Sequence, residues 1–518
     1  MSSELALAER LLVCGYELQS TRAGVETDPG DALGAAVIVT SPVHGGAAAG
    51  KALAVAGVRS SFRHYFLSST PALYARVYVR LEQPVNTETM FLLLRRSSAV
   101  PAISWLTVNA QNQVHARVWV TDYPTGVTLT VGRWHRFDLF VDERGASGTH
   151  AVQLAMDGQT FLLVEGLSLT HIVDQLEVGL NVNAEMASTG LMYFDDIAVN
   201  GTVGPDEIGF PLPGQVFLMP PDGPSATPSW TPGDGGLASP NNFQLVNELP
   251  VDDALTTLES RTNARVADEF TTGVPANLPI GTASLVALGL RFAADGTTAR
   301  SVGVRLRSSP AGTLLQSPGV PAATTTFKSN RDDGYLNPPL VASRTPEGLP
   351  WTSAALAGLV IGIEDADSNA RPLMVSNVWA FAEFPVASEP PPPVPRSGPP
   401  DAGVSPGSDA GVDAGIDAGV SDAGVSDAGV SDAGVSDAGV SDAGVSDAGV
   451  SDAGVSDAGV SDAGTQQRDA GVNETDAGSD ADGPRGPANY AVGCACDAEP
   501  GWSVLWLLLM LARRASRA

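Results

Sequence analysis

Cysteine is scarce in this chain of 518 residues: Cys14 stands alone, and Cys494 and Cys496 lie close together near the end. No disulfide framework can staple the folded part, so its core has to rest on ordinary apolar packing. Clustered basic charge is missing as well. The formal net charge is −29, about half of it after Glu389, and no stripe of Lys and Arg offers phosphate neutralisation. That excludes a nucleic-acid partner and disfavours an anionic membrane surface. The six histidines are scattered, with no His-Glu-x-x-His, no Gly-x-Ser-x-Gly elbow and no P-loop. Gly233, Gly235 and Gly236 sit in Pro-rich sequence, outside any strand-to-helix context for a dinucleotide. Met1 to Arg10 carries Glu4, Glu9 and Arg10 and lacks a basic start followed by an apolar run, so no signal peptide is visible. A mis-assigned start and a cytoplasmic protein both explain this, and the C-terminal pattern favours the first.

What is present reads as all-β. From Leu11 to Gly201 short strands alternate with turns rich in Gly, Pro, Asn and Asp. Tyr74, Arg76, Tyr78 and Arg80 share one face of a strand, and Ala75, Val77, Val79 and Leu81 share the other, the period of a half-buried strand. Many strands at even spacing predict a sandwich or jelly roll. The expected organisation is a first jelly-roll-like β-sandwich over 11–201, a Pro/Gly-rich linker over 202–242 and a second β-sandwich over 243–388. A disordered acidic stalk over 389–492 and a short hydrophobic C-terminal segment over 493–518 complete it. The stalk repeats Ser-Asp-Ala-Gly-Val about eight times between Ser421 and Val460. One Val in five residues buries too little to offset conformational entropy, and the regular Asp residues repel one another. A β-solenoid is the structured alternative.

The chain ends on Cys494, Ala495, Cys496, an apolar run from Trp502 to Ala512, and Arg513, Arg514 and Arg517. Eleven helical residues cover about 16 Å against a hydrocarbon core of roughly 30 Å, too short for a permanent anchor. This order resembles the MYXO-CTERM sorting segment, although the run is short for that family. The resemblance implies export, processing by a C-terminal sorting protease near Cys494 and Cys496, and retention at the cell surface. Arg513 and Arg514 would stay inside, and the membrane would be met through this segment alone.

The first domain carries Cys14, Gly15, Tyr16 and Glu17 at its opening, then Gly132 to Arg136, the Met156, Asp157, Gly158 hairpin, and Tyr193 to Ile197 at its close. In that order they resemble a concanavalin A-like or carbohydrate-module jelly roll. In such families acidic residues on the opening and closing strands can hold a structural calcium, which maps to Glu17 with Asp195 and Asp196. The other reading is that Asp195, placed by alternation on the core side with Tyr193, Ile197 and Val199, accepts backbone N–H bonds while Asp196 is solvated. Asp365, Asp367 and Asn369 have the spacing of a calcium loop but lack its later Gly and Glu, and read as a solvated turn.

Laminarinase-type hydrolases share this fold and need Glu-x-Asp-x-x-Glu on one strand, which does not occur here. Tyr65, Tyr74, Tyr78, Trp105, Trp119 and Tyr123 are candidates to stack on sugar rings, and Trp134 is structural. The expected function is a non-catalytic, surface-displayed binding or adhesion protein, its partner an extracellular glycan or surface protein. The alternatives are a secreted polysaccharide-cleaving enzyme with an unrecognised site and a structural envelope protein.

Overall fold

Apolar residues at every second position, broken by turn residues, drive the chain into antiparallel sheets. A computed structural model describes residues 10–393 except 21–34, 66–71, 97–101, 170–172, 183–186, 203–208, 252–255, 263, 295–299, 323–327, 330–338, 368–370 and 391–392. The stalk beyond Pro393 and the C-terminal segment, with Cys494, Cys496, Arg513 and Arg514, lie outside the described residues. Among the described residues no helix is long and apolar enough to cross a membrane.

The first sandwich has two sheets. The larger runs β12 (Gln159–Leu167), β11 (His150–Met156), β10 (Trp134–Asp142), β5 (Ala72–Gln83), β14 (Leu191–Asn200), β3 (Ala49–Leu53) and β2 (Val37–Val39), with β1 (Arg10–Cys14) also paired to β14. The smaller runs β4 (Ser60–Tyr65), β13 (Gln175–Leu180), β6 (Thr89–Arg95), β7 (Ser104–Val108), β8 (Gln113–Val118) and β9 (Thr121–Thr128). Ala75, Val77, Val79 and Leu81 of β5 meet Phe62, Leu92 and Leu106 of the smaller sheet in one core.

The stretch expected as a linker is instead part of the second sandwich. β15 (Gly214–Met219) pairs with Leu373–Pro385, and β16 (Pro221–Pro224) pairs with Val266–Thr272. Trp230 is fully buried in the second core with Trp351. Its Pro and Gly residues read as spacer, yet Val216, Phe217, Leu218 and Met219 supply the apolar run that makes a strand, and the prolines fall at or beside its edges.

β5 is buried on both faces. On its polar face Arg76 reaches Glu383 of the second sandwich while Tyr74 stacks on Phe140 and Tyr78 on His44, and beside them Val13 and Leu18 join Val216, Leu218, Leu285, Trp379 and Phe381 in one apolar cluster. Trp379 lies over Gly289, where a Cβ would stand 2.4 Å from the ring, so only glycine seats it. Beside the cluster Glu383 accepts from Arg10 and from Arg76 (Nη1, 2.7 Å), all three fully buried. Burial alone would raise the Glu383 carboxyl, but Arg10 and Arg76 hold it below the ordinary range.

Because Glu383 is depressed in the native state, its contribution is present above the unfolded pKa and lost as pH falls through the native one. Glu383→Ala, which leaves two guanidiniums buried without their carboxylate, is expected to cost about 3–5 kcal/mol in denaturant unfolding. Asp138 has the opposite sign. Burial pushes it to about 6 from 3.8 despite its partner Arg136. The native state therefore holds that proton more tightly, and stability falls as pH rises between those values. Asp138→Asn is expected to flatten that part of the stability–pH curve, and an unchanged slope would contradict the assignment.

Candidate functional site

The centre of the larger sheet is closed by Glu383 and the cluster around Trp379, and the outward face of the smaller sheet carries a cluster of half-exposed polar side chains. Cross-strand register builds it. Arg63, Glu177, Leu93, Trp105 and Arg117 stand side by side across β4, β13, β6, β7 and β8. One step along, Tyr65, Gln175 and Arg95 form a second row. Residues opposite each other in antiparallel strands point to the same face, so both rows face outward.

Glu177 is fully buried at the centre. It accepts from Arg59 (Nε, 2.7 Å) and from the Ser61 hydroxyl, with Arg63 at 3.6 Å and Arg95 at 3.9 Å. Three guanidiniums, each about a fifth to a quarter exposed, thus surround one carboxylate. Arg95 also donates to Gln175 Oε1 (3.0 Å), while the buried Gln175 Nε2 has no hydrogen-bond partner among the described residues. Burial lowers Arg95 below its ordinary pKa, and Arg59 and Arg63 push the same way against Glu177. An anion laid here would relieve that repulsion. The cations are arginines, whose planar forks match carboxylates in two-point contact. Beside them, the Arg117 guanidinium lies 4.9 Å from the Trp105 ring centroid, and Met90, Leu93 and Val182 form an apolar patch under Trp105. At the far end Glu88 accepts from His115 (3.0 Å) and from the Thr107 hydroxyl (2.5 Å).

Of the aromatic candidates, Tyr65 and Trp105 fall on this face. Tyr74 and Tyr78 are buried on the larger sheet, and Trp119 and Tyr123 are half-buried against the core. Trp134 stands edge-on to His44, 5.7 Å between centroids. The arginines, Gln175 and Glu177 went unread because they come from three separate stretches of chain, around β4, β6 and β13. The available signal was polar residues at alternate positions of apolar strands: Ser61, Arg63, Tyr65 in β4, and Gln175, Glu177 in β13.

The structure gathers Glu17, Asp195 and Asp196 around the loop 44–48. Glu17 accepts from Ala47 N (2.8 Å) and Ala48 N (3.1 Å), Asp195 from His44 N (2.7 Å), and Asp196 from His44 Nδ1 and Val216 N (both 2.6 Å). Asp195 does not face the first core as alternation suggested. It pairs with Tyr78, and the register breaks between Asp195 and Ala198, with Asp196 at φ 47°, so that Phe194 and Ile197 both turn inward. Asp196 is buried, not solvated. Burial, Asp196 and Glu17 push the Asp195 carboxyl well above its ordinary range. These are hard oxygen donors with excess negative charge, which suits calcium. Their oxygens are turned to N–H donors, and among the described residues no group of three or more His, Cys, Asp and Glu is arranged to hold a metal ion. Asp365, expected in a solvated turn, is buried at a strand end with Arg300 and Ser260.

No family model and no curated protein matches the chain. Solved structures to which it is similar include an endo-β-1,4-glucuronan lyase from the fungus Trichoderma reesei, at 15% identity and TM-score 0.31, covering 37% of this chain and 96% of that one. The cellulose-induced protein Cip1 is 14% identical at TM-score 0.27, with 36% and 96% covered. The alginate lyase Aly36B is 10% identical at TM-score 0.25, with 38% and 98% covered. The expectation of a non-catalytic protein does not stand against this set, which includes polysaccharide lyases. It rested on the lack of a hydrolase carboxylate strand, a His-Glu-x-x-His, a Gly-x-Ser-x-Gly elbow and a P-loop, and elimination chemistry needs none of these.

Glu177→Gln removes the carboxylate that faces Arg59, Arg63 and Arg95. The expected result is a loss of about 1–3 kcal/mol in thermal unfolding, together with elution from a sulfated-polymer column at higher salt than the parent. Weaker retention by the column would show that Glu177 does not hold back an anion site.

Proposed function

We propose that the protein is an extracellular polysaccharide-cleaving enzyme whose first sandwich acts on a uronate-bearing chain by β-elimination. The observation that carries this reading is the set of Arg59, Arg63 and Arg95 around one buried carboxylate on an outward sheet face, in a chain whose net charge is −29. Arg95 and the spare Gln175 Nε2 would hold the uronate carboxylate, which makes the neighbouring C5 proton more acidic. Tyr65 adjoins Gln175 in register, on one row with Arg95, and acts as the base in its deprotonated form. It takes the C5 proton, the C–H electron pair becomes the C4=C5 double bond, the C4–O4 bond breaks, and the phenol returns the proton to O4. Trp105 offers its ring to an adjoining sugar. The acidic repeat and the C-terminal Cys, apolar and Arg pattern support display at the cell surface.

The purified protein is to be incubated with polyuronates and neutral glucans while the ultraviolet absorbance of the new double bond is followed. Absorbance should rise with at least one polyuronate and with no neutral glucan. Tyr65→Phe should lose turnover by about a hundredfold or more while still binding, and Arg95→Gln should weaken binding. Silence on every polyuronate, or hydrolysis without the double bond, would overturn the reading.

A further inference from the structure

The outer face of the larger sheet holds one segment that belongs to neither sandwich. After the last strand of the second sandwich the chain crosses to the first, where Glu389 accepts from the Tyr78 hydroxyl (3.0 Å) and from Arg136 Nη1 (3.0 Å). Arg136 Nη2 donates to the Pro390 carbonyl (2.5 Å), and Gln153 Nε2 donates to the Pro393 carbonyl (3.1 Å). Gly158 makes room: at its φ of +79° a Cβ would stand 2.6 Å from the Pro390 oxygen. These residues open the stretch 389–492 that the sequence assigns to a free stalk.

The chemistry is complementary. Prolines have no N–H, so this segment presents carbonyls and one carboxylate, all acceptors. The groove presents a phenol, a guanidinium and an amide as donors. Arg136 is fully buried and is held in place by Asp138 (Nε to Oδ2, 2.8 Å). Tyr78 is pinned by the His44 ring, stacked at 3.7 Å. A proline-rich segment is stiff before it docks, so little entropy is lost on binding.

We propose that the Tyr78, Arg136 and Gln153 groove is a docking surface for a glutamate followed by prolines, filled by the chain's own Glu389, Pro390 and Pro393. Docked, this segment is a latch that fastens the end of the second sandwich to the first. It leaves the arginine face on the opposite sheet untouched, and it stands or falls independently of the reaction proposed there.

The test uses the full-length protein and limited trypsin digestion. Cleavage after Arg396, three residues beyond Pro393, is timed against cleavage after Arg261, whose side chain is 64% exposed. Glu389→Ala alters a side chain about a third exposed, and Tyr78→Phe keeps the buried ring. Tyr78→Phe should speed the Arg396 cut about tenfold, the effect of losing one hydrogen bond to a charged group, and Glu389→Ala, which loses two, should speed it more. The double variant should be no faster than the faster single. Unchanged cleavage in Glu389→Ala, or a double variant equal to the product of the singles, would overturn the latch.

Discussion

Glu383 between Arg10 and Arg76 is the constraint on which the rest of the molecule depends. A carboxylate out of water is tolerable only with its charge matched, and here one partner comes from the first strand of the first sandwich and the other from its central strand. The pair of contacts reaches across the junction from the last strand of the second sandwich. With the apolar cluster around Trp379 and Phe381 beside it, this ties the two sandwiches into one body. The polar face of β5, which an isolated sandwich would expose, is thereby consumed in structure.

That consumption decides where chemistry can occur. The smaller sheet keeps its outward face, and on it the alternation of β-strands brings Arg59, Arg63, Arg95, Gln175 and Tyr65 together from distant parts of the chain. Glu177 keeps the cluster folded by offsetting part of its charge, yet leaves more positive than negative groups. Stability and affinity for an anion therefore pull in opposite directions at a single residue.

The sequence made the class of fold legible, because period-two alternation such as that of Tyr74 to Leu81 survives in β5 as drawn. It did not reveal that both faces of that strand are buried, since the covering surface lies three hundred residues away. The Pro- and Gly-rich stretch 202–242 misled for a related reason: its composition resembles a spacer, while four apolar residues, Val216 to Met219, are enough for a strand. Glu17, Asp195 and Asp196 were singled out from the chain and do converge. The inversion of Asp195 was not legible, because one left-handed residue at Asp196 shifts the register without any glycine to announce it. The arginine face was hidden by distance in sequence, not by subtlety of chemistry.

Amide hydrogen exchange with and without a soluble oligouronate tests the central claim most directly, because it reports the location of contact whatever the turnover. Slowed exchange confined to β4, β13, β6 and β7 is the result this account predicts. Protection at the junction of the sandwiches or within the second sandwich, with β13 and β6 unaffected, would contradict it.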